Sequence, residues 1–226
     1  MTAASLAAAL DRIGHVQQHL PAAVAVLVGI VAVGTVLPGL WLITRHVAVI
    51  AHEAAHATMG SAAGGTVRSI QLLRDALGVT AISGHGPVGS ILTGLVGYLG
   101  PSLFGVGGAV LIRTGHIVAV LWLALLALVA VLLVLRSLFG FLTVILSAVL
   151  LFGVAGFAAV GVQVLASYGI TWFLLASGIR MILEHGKANA DARALHRATK
   201  IPPGFWFRFW HAGTVVAVLL GAALLV

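Results

Sequence analysis

Residues 52–56, His52-Glu53-Ala54-Ala55-His56, read H-E-x-x-H. Residues four apart share one face of a helix, so His52 and His56 can hold a single zinc ion together. Glu53 then falls where a general base for an attacking water is needed. The chain has ten His but only two Glu, Glu53 and Glu184. The motif sits inside an apolar stretch long enough to cross a bilayer. Ionisable groups at that depth are costly and by default mark function. The chemistry this predicts is zinc-assisted hydrolysis of a peptide bond within the membrane. The competing bland reading is a chance motif on a buried helix, its imidazoles bonded to neighbouring carbonyls.

A catalytic zinc generally takes three protein ligands and keeps one open position. The chain has no cysteine, which excludes thiolate ligation and disulfides alike. After the motif the carboxylates are Asp75, Glu184 and Asp191, with His185 nearby. Asp191 opens a short helical pattern at 191–199, where an Asp would also serve as a cap or favour the first turn. Both readings stand on the residues alone. His85 and His185 lie on the motif's side and suit supporting roles rather than direct ligation.

The elements that must position these groups are mostly apolar helices. Hydrophobic residues make up 61% of the 226-residue chain, charged residues only 8%, and mean hydropathy is +1.17. Soluble domains carry about 25% charged residues, so the fold class expected is an all-α polytopic membrane protein. One domain over 1–226 accounts for the length. Apolar runs predict about six to seven transmembrane helices, near 22–37, 40–62, 88–112, 116–135, 139–157, 160–184 and 206–226. Pro38 and Gly39 separate the first two. The long uncharged stretch ending at Arg180 must fold back around Gly153–Gly161. Residues 4–19 suit a short amphipathic interfacial helix.

Net charge is +7, but the basic residues lie between apolar spans, so membrane orientation explains them better than nucleic acid does. With seven alternating spans, Arg12, Arg68, Arg74, Arg136, Arg180, Lys187, Arg193, Arg197, Lys200 and Arg208 fall on one side. Arg45 and Arg113 fall on the other. Positive loops stay cytoplasmic, which predicts an N-terminus inside and a C-terminus outside. Gly94, Gly97, Gly100, Gly105, Gly107 and Gly108 in the third span predict close helix packing.

Residues 63–87 interrupt the helical pattern. Gly64 and Gly65 end the motif helix. Thr66–Ile70 and Val79–Ile82 favour strands, with a turn at 74–78. The reading is a β-hairpin directly after the H-E-x-x-H helix. Its edge can capture a peptide as an added strand, and a peptide must be extended to be cut. An ordinary cytoplasmic hairpin is the simpler use of the same residues.

The helix AHEAAHATMG at 51–60, the hairpin with GVT at 78–80, GYLGPSLFG at 97–105 and DARALHRATKIPPGFW at 191–206 together resemble the site-2 protease family of intramembrane zinc metalloproteases. The likeness is greatest to its compact bacterial branch without a PDZ domain. The resemblance implies an integral protein of the bacterial cytoplasmic membrane that cuts membrane-protein substrates in or near their transmembrane segments. It implies zinc held by His52, His56 and a later Asp, for which Asp191 has the right position, with Glu53 as the catalytic base. Two departures stand out. Asp191 is followed by Ala192 rather than the family's glycine, and Phe104 stands where the wider family's G-P-x-x-N has Asn. Competing classes are a transporter or channel with a metal or proton site, and a protease-like scaffold that does not cut. Paired halves or matched interrupted helices, which would favour transport, are not evident. Substrate identity and oligomeric state are not legible.

Overall fold

The computed structural model of the chain describes residues 3–186 and 189–226. Its elements run α1 (Ala3–Gly14), α2 (Ala22–Gly34), α3 (Trp41–Ala62), β1 (Thr66–Leu72), β2 (Gly78–Ser83), α4 (Pro87–Arg113), α5 (Ala119–Val134), α6 (Leu138–Phe157), α7 (Val160–His185), α8 (Ala190–Thr199) and α9 (Pro203–Leu225). Each expected apolar run is a helix, and the hairpin is present. Four helices, α4, α6, α7 and α9, are long and apolar enough to cross a membrane. The apolar helices α2 and α5 have only 13 and 16 residues.

α4 is the central post. Its small residues let neighbours approach, as expected in lipid, where close packing replaces a hydrophobic driving force. Gly105 lies against Leu175 and Gly108 against Thr171, both on α7, while Gly94 meets Leu195 of α8. The Ser102 hydroxyl donates to the Leu175 carbonyl at 2.9 Å. On the other side, Trp210 Nε1 of α9 donates to the Leu95 carbonyl at 2.8 Å.

α2 and α3 follow one another along α7. α2 packs along α7, with Gly29 against Trp172. The start of α3 then meets the far end of the same helix. Arg45 pairs with Glu184 at 3.0 Å, the Trp41 indole also donates to Glu184, and Arg180 lies over the Trp41 ring. α3 continues until Ala63 lies beside Gly89 at the start of α4. Pro38 and Gly39 lie between the two helices. Leu20 and Leu225 share a cluster with Ile112 at one end of the bundle. The hairpin, the end of α7 and α8 lie at the other. Lys187, one of the counted basic residues, lies outside the described residues.

Two connections show how backbone is satisfied without water. The chain turns from α6 to α7 at Ala158 and Ala159. There the buried Gln163 amide donates to the carbonyls of Ala155 and Ala158 at 2.9 and 3.2 Å. Carbonyls at a helix end have no ladder partner, and hydrocarbon supplies none. At the other end of the bundle, Gly64 stops α3 in a left-handed conformation, φ +82°. Its neighbour's N–H, that of Gly65, returns to the Gly60 carbonyl at 2.8 Å.

The hairpin is antiparallel, pairing Thr66 with Ser83 and Leu72 with Gly78, with a bulge between Val67 and Ser69. The outer edge of β1 is closed: Arg136 N donates to Ile70 O at 2.8 Å, and Leu72 N donates to the Ser137 hydroxyl at 2.9 Å. Among the described residues, β2 pairs only with β1, so its outer edge has no strand partner.

Candidate metal centre

His52, Glu53 and His56 lie on the buried face of α3, with 7%, 2% and 7% of their surfaces exposed. The helix positions them by spacing alone, and α4 fixes their orientation. His56 Nδ1 lies 2.8 Å from the Thr93 carbonyl. A carbonyl can only accept, so Nδ1 carries the proton and Nε2 keeps its lone pair free. His52 packs edge-on against Tyr98, with ring centroids 4.7 Å apart. Gly97 lies against both imidazoles, where no side chain would fit.

Asp191 arrives from α8. Its Oδ2 lies 3.2 Å from His52 Nε2 and 3.4 Å from His56 Nε2, and the two Nε2 atoms are 3.1 Å apart. A tetrahedral ion with bonds of about 2.05 Å separates its ligand atoms by about 3.3 Å. The three donor atoms thus form a triangle with the dimensions of one tetrahedral face. The donor set of two imidazoles and one carboxylate also suits a catalytic rather than a closed structural zinc site. In the metal-free site burial raises the Asp191 pKa, but protonated His52 and His56 would donate to the carboxylate and lie beside it, which outweighs burial and holds the carboxyl well below the usual carboxylate range.

The alternative role for Asp191, capping its helix, is filled by another residue. Asn189 is the N-cap, its Oδ1 accepting from Ala192 N at 2.8 Å. Asp191 sits in the first turn, where its carboxylate is free to point at α3. The other candidates go elsewhere. Glu184 is tied to Arg45 and Trp41. His185 Nδ1 lies 2.9 Å from the Met181 carbonyl, one turn back on its own helix, and its ring contacts Tyr98. Asp75 lies in the hairpin turn, where Leu77 N approaches it at 3.4 Å. His85 sits beside Ser90 and Gly89. Among the described residues, His52, His56 and Asp191 are the group able to share one ion.

A cleft of about 460 Å³ opens at this triangle, and Glu53, Tyr98, His185 and Leu77–Thr80 of the hairpin are among its lining residues. Glu53 reaches toward the hairpin: the Thr80 hydroxyl donates to its Oε2 at 2.6 Å. Phe104, at the family's Asn position, is 39% exposed and lines no part of the cleft. Sequence reasoning missed Tyr98, Thr93, Asn189 and Thr80 as site residues. The Asn-Ala-Asp step at 189–191 carried a cap signal. Nothing in the local pattern distinguishes Thr80 from other strand threonines.

The model of one protein family, described as Peptidase M50B-like, matches residues 22–221. No curated protein and no solved structure matches the chain.

Proposed function

The chain belongs to the Peptidase M50B-like family, which is the site-2 protease family, and on that premise we propose that it is an intramembrane zinc metalloendopeptidase cutting membrane-protein substrates in or near their transmembrane segments. The observation that carries this reading is the donor triangle of His52, His56 and Asp191, with edges of 3.1–3.4 Å, beside a buried Glu53.

His52, His56 and Asp191 would hold the zinc. When bound, it lends acidity to a water and polarises the scissile carbonyl. Glu53 takes a proton from the water as its oxygen attacks the carbonyl carbon. The same carboxyl then gives that proton to the amide nitrogen as the C–N bond breaks. The open edge of β2 supports docking of an unwound segment as an added strand, in register with the cleft. Main-chain pairing there also satisfies the N–H and C=O groups that unwinding the substrate exposes. Phe104 cannot supply the donor of the family's Asn, so charge on the carbonyl oxygen would fall to the bound cation or to another donor lining the cleft.

The fold also supports six crossings rather than seven, with α2 and α3 sharing one. Arg68, Arg74, Arg136, Arg193, Arg197 and Lys200 belong to the elements at the hairpin end, which the positive-inside rule makes cytoplasmic. Both chain ends would then be external, reversing the orientation expected for the N-terminus.

The test is cleavage in proteoliposomes carrying a single-span reporter substrate. Wild-type protein should cut it, and a zinc chelator and Glu53→Gln should each abolish the cut. Cleavage by the Glu53→Gln protein would overturn the reading. Metal-dependent ion flux without cleavage would favour transport instead.

A further inference from the structure

The buried Glu53 side chain is held from the hairpin and not only from its own helix. The Thr80 hydroxyl, on β2, donates to Glu53 Oε2 at 2.6 Å, a short bond of the charge-assisted kind. Two residues earlier on the strand, Gly78 offers bare backbone to the same side chain. A Cβ on Gly78 would lie 2.6 Å from Glu53 Cγ and Cδ. The carboxylate is thus clamped between one hydroxyl and one glycine of a single strand. That strand has an open outer edge and lines the cleft.

We propose that Thr80 is a positioning residue that fixes the carboxylate of Glu53 and ties it to the strand on which substrate docks. The inference rests on Glu53 being the base of the reaction proposed above. The geometry explains why one strand should do both jobs. A carboxylate on a long side chain has rotational freedom, and a base contributes fully only when aimed at the proton it takes. An occupied β2 edge adds main-chain hydrogen bonds along the strand and restricts its motion. Docking then steadies Thr80, and Thr80 steadies the base. The rate of the chemical step is coupled to strand addition through one hydroxyl, with no contact between Thr80 and the metal ligands required.

Thr80→Val removes the hydroxyl and keeps the shape, and Thr80→Ser keeps the hydroxyl. Supporting groups of this kind typically contribute about 10- to 100-fold to activity. The expected result is a kcat for Thr80→Val lower by about that factor, with KM changed less than about twofold and zinc content unchanged. Thr80→Ser should recover most of the rate. A second readout needs neither metal nor turnover. The chain has two glutamates, so ¹³C-glutamate labelling leaves two carboxylate pairs in the infrared spectrum of the metal-free protein, and Glu53→Gln identifies the Glu53 bands. Those bands should shift in Thr80→Val and return in Thr80→Ser. Unmoved bands in a folded Thr80→Val protein would overturn the proposal, as would wild-type kcat in that variant. If Glu53→Gln still cleaves, the base assignment fails by that result alone, while the band shift reports separately on the Thr80–Glu53 bond.

Discussion

Replacing Gly97 by alanine puts one methyl group against the two imidazoles of the site. A Cβ there would stand 2.5 Å from Cε1 and Nε2 of His56 and 2.8 Å from Cε1 of His52. Non-bonded contacts of this kind relax at about 3.5–4.0 Å, so α4 or the rings must yield by about 1 Å. Metal–ligand distances tolerate about 0.2 Å. The rings cannot move that far and keep the 3.1–3.4 Å triangle with Asp191. Moving α4 instead would break the hydrogen bond from His56 Nδ1 to the Thr93 carbonyl. Overpacking of a dense core costs about 1–3 kcal/mol. Carried by the metal-bound state, that is about 5- to 150-fold in zinc affinity at 1.4 kcal/mol per tenfold. Competition with a chromophoric chelator in detergent measures it. Gly107→Ala is the control, because nothing lies within 4 Å of that position. A Gly97→Ala protein that binds zinc as tightly as the wild type would refute the close approach of α4 to the site.

Three further outcomes follow from the same structure. Asp191→Asn should weaken zinc binding and cleavage nearly as much as Asp191→Ala, because a neutral amide is a poor zinc ligand; near-normal zinc content in Asp191→Asn would return the residue to a helix-terminal role. Asn189→Ala should lower thermal stability by about 1 kcal/mol for the lost cap while retaining most of the zinc, and an unchanged melting midpoint would contradict the cap. Reporter fusions at the two chain ends should report the same side of the membrane, and opposite sides would restore an odd number of crossings.

The helices, the hairpin and the three polar residues of the motif were legible because each leaves a local signature: apolar length, glycine punctuation, a spacing of four. Asp191 was one of several candidates on the residues alone, and resemblance favoured it. Its partner atoms come from a helix well over a hundred residues earlier, and its sequence context fits a helix start equally well. In the structure Asn189 fills the cap, and the Asp191 carboxylate lies beside the two imidazoles. The path of α2 and α3 was not legible, since Pro38-Gly39 punctuates a hairpin and a broken traverse alike. The tertiary contacts of the two helices, Gly29 with Trp172 and Arg45 with Glu184, leave no local signal. The role of Gly97 was half legible. Glycine clusters in an apolar helix announce close packing, but not that the close neighbours are imidazoles.

Zinc content per purified chain shows whether His52, His56 and Asp191 hold one ion beside Glu53. About one zinc per chain is expected in the wild type and in Glu53→Gln, with loss of the metal in the His52→Ala/His56→Ala double variant. Full zinc occupancy in that double variant would contradict that assignment.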